Sequence, residues 1–237
     1  VPRSVLLTLY DRLPELQPGD DEDLWAAGVR EAMRDFRDGI IARYTEGTLQ
    51  RLLSFNDVRT RRAAVLALGL IGTMESNAAV AAALHDADLL VRRLAADALW
   101  ELWFRGGTAE QNQRLRQALR RGRTPRTRQC LDALIREAPQ FAEAYNQRAI
   151  WFYQNGEYAR AVEDCQQVLR LNPHHYAAAA GLGQCWLKLG RLRAALHAFR
   201  TALAINPDLD DVQEIISALE EALERDGSDD DPITPSP

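Results

Sequence analysis

The residues of this chain that could do more than pack are four histidines, three cysteines and a dense run of arginines. His174 and His175 are adjacent, so they point apart on a turn or helix start, whereas two helical ligands to one metal need i, i+4 spacing. Both are expected on an exposed turn. His85, Asp86 and Asp88 form a second group of metal-type side chains. Cys130, Cys165 and Cys185 match no zinc or redox spacing, which predicts three free thiols in a reducing cytoplasm. No glycine-rich phosphate loop, G-x-S-x-G elbow or H-E-x-x-H helix occurs. The expectation is a chain without catalytic residues, metal or cofactor, and hence not an enzyme.

The arginines offer the sharper chemistry. Residues 114–136 hold eight Arg against one acid, Asp132; Arg114, Arg116, Arg120, Arg121, Arg123, Arg126 and Arg128 straddle a helix break at Gly122 and Pro125. Such a cluster can neutralise phosphates, with binding that falls steeply with salt. No aromatic residue interleaves, and the whole chain is acidic, with a net charge of −5. A solvated face and a contact with an acidic protein segment are the competing readings, and both rank above nucleic acid. Trp100, Trp103 and Phe104, just before Gly106 and Gly107, read as a plug between two helical segments, with a binding hot spot as the rival.

The rest of the chain must position these groups. With 237 residues, 46% apolar and 27% charged, it is long enough for a core, and its composition excludes collagen, a disulfide scaffold and wholesale disorder. No apolar run reaches the roughly 18 residues of a membrane span, so a soluble protein is expected. Charge is uneven: residues 1–24 carry six acids against two Arg, and residues 207–237 carry eleven against Arg225 alone. All basic residues except Lys188 are Arg, a bias that fits a GC-rich bacterial genome.

Writing residues 142–175 above 176–209 gives a register of 34, in which Gly156, Ala161, Leu169, Asn172 and Pro173 fall on Gly190, Ala195, Leu203, Asn206 and Pro207. Each unit has an apolar periodic stretch on either side of its Gly and ends in Asn-Pro, where the residue before Pro leaves the α region. That is helix, tight turn, helix, stop, twice. The small and large positions Tyr145, Ala149, Phe152, Gly156, Tyr158, Ala161, Cys165 and Pro173, then Gly183, Trp186, Gly190, Ala195, Phe199, Ala202 and Pro207, resemble the tetratricopeptide repeat. In that register Cys165 and Cys185 fall at packing positions, Arg148 replaces a usual apolar residue, Ala179 a usual aromatic and Val168 a usual Ala. Gly122, Leu131, Leu134 and Pro139 mark a partial unit one period earlier, whose first helix is degenerate.

A shorter echo lies upstream. Arg61–Leu68 aligns with Arg92–Leu99 at a shift of 31, and the lead-in from Asp86 to Arg92 resembles HEAT repeats of the bilin-lyase type. The resemblance implies that Asp86 and Asp88 sit in a turn whose Asp accepts hydrogen bonds from backbone and Arg groups, locking one helix pair to the next, with no metal. Thr60 stands where that motif prefers Val.

Together the two resemblances imply an all-α fold, a right-handed α-solenoid of helix pairs. The expected organisation is an N-terminal helical cap (1–47, with an acidic N-cap run from Asp20 and an amphipathic helix from Trp25 to Tyr44), HEAT-like repeats (48–106) and a tetratricopeptide segment (107–225). That segment divides into a degenerate unit (107–141), repeats at 142–175 and 176–209 and a capping helix at 210–225; a disordered acidic tail (226–237) follows. In this family the first helices line a groove, which here maps to Glu143, Asn146, Gln147, Ile150, Tyr153 and Gln154, then Ala177, Ala180, Gly181, Gln184, Leu187 and Lys188. Relatives that clamp a peptide carboxylate use basic residues and Asn there; Ile150, Ala177 and Gly181 leave only Asn146, so no clamp is expected. The groove instead suits an amphipathic helix or extended peptide of a protein partner. The expected function is a cytoplasmic, monomeric bacterial adaptor that binds protein and no membrane. A nucleic-acid module through residues 114–136 is the first alternative, and a bilin-lyase-like enzyme or accessory subunit is the second.

Overall fold

The computed structural model describes residues 4–14, 22–122 and 124–226. The acidic run at Asp20, Arg123 and the tail beyond Asp226 lie outside them. The described residues form thirteen α-helices and two 3-10 turns with no strand, as the all-α expectation requires. The chain divides into two compact units, Val1–Leu102 and Trp103–Pro237.

In the first unit, α1 (Val5–Tyr10) and α2 (Glu22–Ile41) pack on α4 (Val58–Ile71), which also pairs with α3 (Glu46–Leu52). The short α5 (Asn77–Ala82) precedes α6 (Leu89–Trp103). Gly69 lets α4 and α6 touch: a Cβ there would stand 3.1 Å from the Ala98 Cβ. The HEAT-like turn is built as its residues imply. Asp57 caps α4 through the Thr60 amide (2.9 Å) and accepts the Thr60 hydroxyl (2.6 Å), which gives Thr60 a reason to replace Val. Thirty-one residues on, Asp88 accepts the Val91 amide in the same role. Arg61 donates to the carbonyls of Phe55 and Asn56, and Arg92 to those of Asp86 and Ala87. Two bidentate pairs, Arg61–Asp86 (2.7 and 2.9 Å) and Arg62–Asp88 (2.8 and 2.6 Å), then tie one turn to the next. No metal is needed to explain these acids.

The Arg62 hydrogen bonds hold the Asp88 carboxyl at about 2, against an ordinary value of 3.8. A depressed carboxylate contributes stability above its unfolded value and loses it as pH falls through the folded one. The contribution is therefore full above about pH 4 and lost toward pH 2. Asp88→Asn should remove on the order of 1 kcal/mol at neutral pH after solvent screening, and flatten the acid arm of the first unit's stability curve. Urea melts of both proteins at pH 3 and pH 7 would show the difference between them shrinking at low pH.

In the second unit each helix packs on the next: α7 (Ala109–Arg120), α8 (Pro125–Glu137), α9 (Ala142–Gln154), α10 (Tyr158–Leu171), α11 (Tyr176–Lys188), α12 (Leu192–Ile205) and α13 (Asp210–Asp226). First helices also meet, α9 against α11, which is the layering of stacked helix pairs. Gly156 and Gly190 have φ of +76° and +72°. Each sits in a Schellman turn, with Glu157 N–H to Phe152 O (2.9 Å) and Arg191 N–H to Trp186 O (2.9 Å). Asn172 and Asn206 stop their helices in extended backbone, and their side chains accept the amides of His174 and Asp208, both at 3.1 Å. The degenerate first helix of the partial unit is α7, a regular helix with a Thr108/Gln111 capping box. Apolar α13 residues Val212, Ile216 and Leu219 cover α12 residues Ala195, Leu196 and Phe199.

Gly183 marks the tightest glycine approach among the described residues of the second unit: a Cβ there would stand 2.7 Å from Phe199, a fully buried ring. Gly183→Ala relieves a mid-helix glycine but forces that ring to move, so the expected net result is a loss of about 1–3 kcal/mol. Thermal melts should show it, and a stabilised variant would mean that the ring has room to shift.

Candidate functional site

The mapped groove residues fall into two groups. Glu143 is fully buried on the first turn of α9. Its Oε1 accepts from the side-chain amides of Asn146 (3.1 Å) and Gln147 (2.6 Å), and its Oε2 lies 3.0 Å from His175 Nε2. His175 Nδ1 accepts the Ala178 amide at 3.1 Å and so caps α11. A ring nitrogen that accepts carries no proton; the proton is on Nε2 and is donated to the Glu143 carboxylate. Trp103 closes the cluster. Its ring stacks on His175 with centroids 3.8 Å apart and 17° between planes, and it meets Tyr176 at 5.2 Å.

This arrangement corrects two expectations. His175 is not on an exposed turn; it is 0% exposed. The repeat register carries a signal for this, because a shift of 34 places His175 on Phe141, an apolar residue that is itself buried. Glu143, Asn146 and Gln147 are likewise buried and bonded to one another, so they present no open surface to a partner. Of the aromatic residues Trp100, Trp103 and Phe104, Trp103 is buried on His175 and Tyr176, and Phe104 packs against the cluster of Leu115, Leu131 and Phe141.

The other half differs. Ile150, Tyr153, Gln184 and Leu187 are part-exposed, and Gln154 and Lys188 are exposed, on the neighbouring helices α9 and α11. Tyr153 leans edge-on against Tyr158, with ring centroids 5.4 Å apart. Leu187 packs at the edge of the cluster formed by Phe199 and α13. The result is a shallow strip of apolar and amide groups with one cation at its end.

The arginine stretch is smaller in space than in sequence. Arg114 pairs with Glu137 (2.5 and 3.2 Å), Arg116 lies over the Phe104 ring at 5.2 Å, and Arg128 lies over Trp151 and Phe152 at 5.5 and 5.6 Å. Arg120, Arg121 and Arg126 remain exposed around the α7–α8 turn. A cleft of about 170 Å³ between the two helices is lined by Arg114, Arg121, Arg126, Thr127 and Cys130. The single acid of the stretch, Asp132, accepts from Arg148 at 2.8 Å. Arg148 also makes a bidentate pair with Asp164 (2.8 and 2.7 Å) and so joins α8, α9 and α10. Sequence reasoning found Arg148 only as a departure from the repeat pattern; its role depends on two acids sixteen residues away on either side.

Among the described residues no group of three or more His, Cys, Asp or Glu side chains could hold a metal ion, and no helix is long and apolar enough to cross a membrane.

Comparison with known proteins assigns the repeats. Residues 45–135 match the HEAT repeat family model, and residues 112–173 and 152–219 match two tetratricopeptide repeat models. A TPR repeat-containing protein of Rhizobium etli is 29% identical over 124 residues, which is 51% of this chain and 61% of that protein. Anaphase-promoting complex subunit 3 of Schizosaccharomyces pombe is 34% identical over 79 residues, 33% of this chain and 12% of that protein. The chain thus spans less than two thirds of either relative. Among solved structures, the first TPR of Spaghetti (RPAP3) bound to the HSP90 peptide SRMEEVD matches with a TM-score of 0.45 and 17% identity, covering 48% of this chain and 91% of that one. MamA MSR-1 C2 matches with a TM-score of 0.43 and 21% identity, covering 54% of this chain and 76% of that one.

Proposed function

We propose that this chain, a protein of HEAT and tetratricopeptide repeats, is a non-catalytic adaptor that holds an amphipathic helix or extended peptide of another protein. The observation that carries the reading is the unequal groove. Its polar residues Glu143, Asn146 and Gln147 are buried and bonded within the chain, while Ile150, Tyr153, Gln184 and Leu187 on the same two neighbouring helices stay partly open. Half-exposed aromatic and aliphatic groups with amides between them are what a peptide anchor needs. The short strip suits a modest affinity, well below that of a standard interface with about 800 Å² on each side. One relative is by name a subunit of a multiprotein complex, and protein contact is the property we carry over from it. A cytoplasmic, monomeric chain with no membrane contact and no cofactor completes the proposal.

The nucleic-acid alternative loses ground on the same geometry. With Arg114, Arg116 and Arg128 engaged within the chain, three exposed arginines of the described residues remain at the turn, few for phosphate binding at physiological salt.

The test is capture from native lysate with the intact chain and with a Tyr153→Ala, Gln184→Ala, Leu187→Ala variant, each with and without nuclease. A defined protein retained through nuclease and lost in the variant, with circular dichroism unchanged, supports the adaptor reading. Retention by the variant, or loss on nuclease treatment, overturns it.

A further inference from the structure

The cleft between α7 and α8 has a counterpart one repeat later. The register of 34 places Arg114 on Arg148, Gln117 on Trp151, Ala118 on Phe152, Arg126 on Arg160 and Cys130 on Asp164. Both units turn at a glycine of positive φ, Gly122 (+74°) and Gly156 (+76°). In the later unit the space is filled and its charge is met. The buried Phe152 ring has Arg160 at 4.1 Å and Arg148 at 5.7 Å from its centroid, and the Asp164 carboxylate accepts two hydrogen bonds from Arg148. In the earlier unit Ala118 stands in place of the ring and Cys130 in place of the acid. What remains is an open cleft of about 170 Å³ with Arg114, Arg121 and Arg126 in its lining. Arg114 pairs instead with Glu137, whose side chain is half exposed. Among the described residues Arg121 and Arg126 have no acid of their own.

We propose that this cleft binds a phosphorylated side chain of a partner protein, the phosphate taking the place that Phe152 and the Asp164 carboxylate fill in the next repeat. The cleft is separate from the strip on α9 and α11, so the inference stands independently of what that strip binds. Charge decides between anions. Three cations against one half-exposed acid leave an excess of two. A phosphate monoester, with a charge of about −1.5 to −2 at neutral pH, balances that excess, and a carboxylate does not. Guanidinium forks also match phosphate oxygens two at a time. Size and lining decide between sources. Three arginines are few for a polyanion, and no aromatic residue lines the cleft on which a base could stack. A side chain needs neither: it delivers one anion on a short stem, as Asp164 does in the next repeat.

The test titrates the full chain, isotope-labelled, with N-acetyl-O-phosphoserine methylamide at physiological salt and follows the arginine side-chain resonances by NMR. Saturable binding in the low-millimolar range is expected, with the unphosphorylated analogue and its aspartate counterpart at least about tenfold weaker. Arg121→Ala or Arg126→Ala should weaken it about five- to tenfold, whereas Arg120→Ala, at an exposed arginine of the same turn outside the cleft, should leave it unchanged. Cys130→Asp supplies the acid of the next repeat and should abolish binding with circular dichroism unchanged. Arg121 and Arg126 are exposed, so their variants keep the test sound if Cys130→Asp fails to fold. Equal weakening by Arg120→Ala would show a diffuse attraction and overturns the proposal, as does binding that a folded Cys130→Asp leaves intact, or no saturable binding at all. Inorganic phosphate or thymidine 5′-monophosphate bound more tightly than the phosphoserine probe assigns the cleft to another source and overturns the assignment to a protein side chain.

Discussion

Replacing Arg148 with Leu, the kind of residue its repeat position ordinarily carries, should destabilise the second unit by about 3–5 kcal/mol. The loss comes from what is left behind. Asp164 is buried, its side chain 6% exposed, and burial pushes its carboxyl above the ordinary range while the Arg148 hydrogen bonds pull the other way. Removing the guanidinium leaves that carboxylate without its two strongest donors in a poorly solvated place. Asp132 is about a third exposed and can return to water, so it adds little to the cost. A second change, Asp164→Leu on the Arg148→Leu background, should recover most of the loss, because a well-packed apolar pair often equals or exceeds a buried ion pair in stability. A double-mutant cycle in urea measures the coupling. A single mutant as stable as the parent would show that water reaches Asp164.

Truncating Trp103 to Ala should cost a similar amount, about 3–5 kcal/mol. Trp103 is 2% exposed and lies flat on His175, whose ring bonds Glu143 on one side and caps α11 on the other. Its removal admits water to a His175–Glu143 pair that is now 0% exposed. Because the chain has two compact units, a single melting temperature is a poor measure of this local effect. Hydrogen exchange at the Ala178 and Ala179 amides, which cap onto His175, reports it directly. Their protection should fall by about two to four orders of magnitude relative to α12, roughly what 3–5 kcal/mol of lost local stability allows. Trp103→Phe keeps the stack and should lose about a third as much. Equal protection in the parent and the Ala variant would mean that His175 holds α11 without the indole.

The sequence of this protein determined its local structure to a large extent. A 34-residue register with Gly156 over Gly190 and Asn172 over Asn206 dictates helix, Schellman turn, helix and stop, because only glycine takes the positive φ freely and only an extended residue precedes proline. The 31-residue register did the same for Arg61 and Arg92, which bond equivalent carbonyls in successive turns. These features are periodic and act through near neighbours, so one-dimensional spacing carries them. Which side chains would be left open was another matter. The family register places Glu143, Asn146 and Gln147 on a groove, yet all three are buried. Only the folded chain shows that Asn146 and Gln147 spend their amides on Glu143, that His175 completes the cluster and that Trp103, seventy-two residues before His175, stacks on its ring. The arginine stretch looked like one patch until Glu137, Phe104 and the Trp151–Phe152 pair claimed three of its members. Local backbone geometry repeats along the chain and is written in spacing. Burial and pairing depend on contacts between residues distant in sequence, and these exist only once the helices have packed.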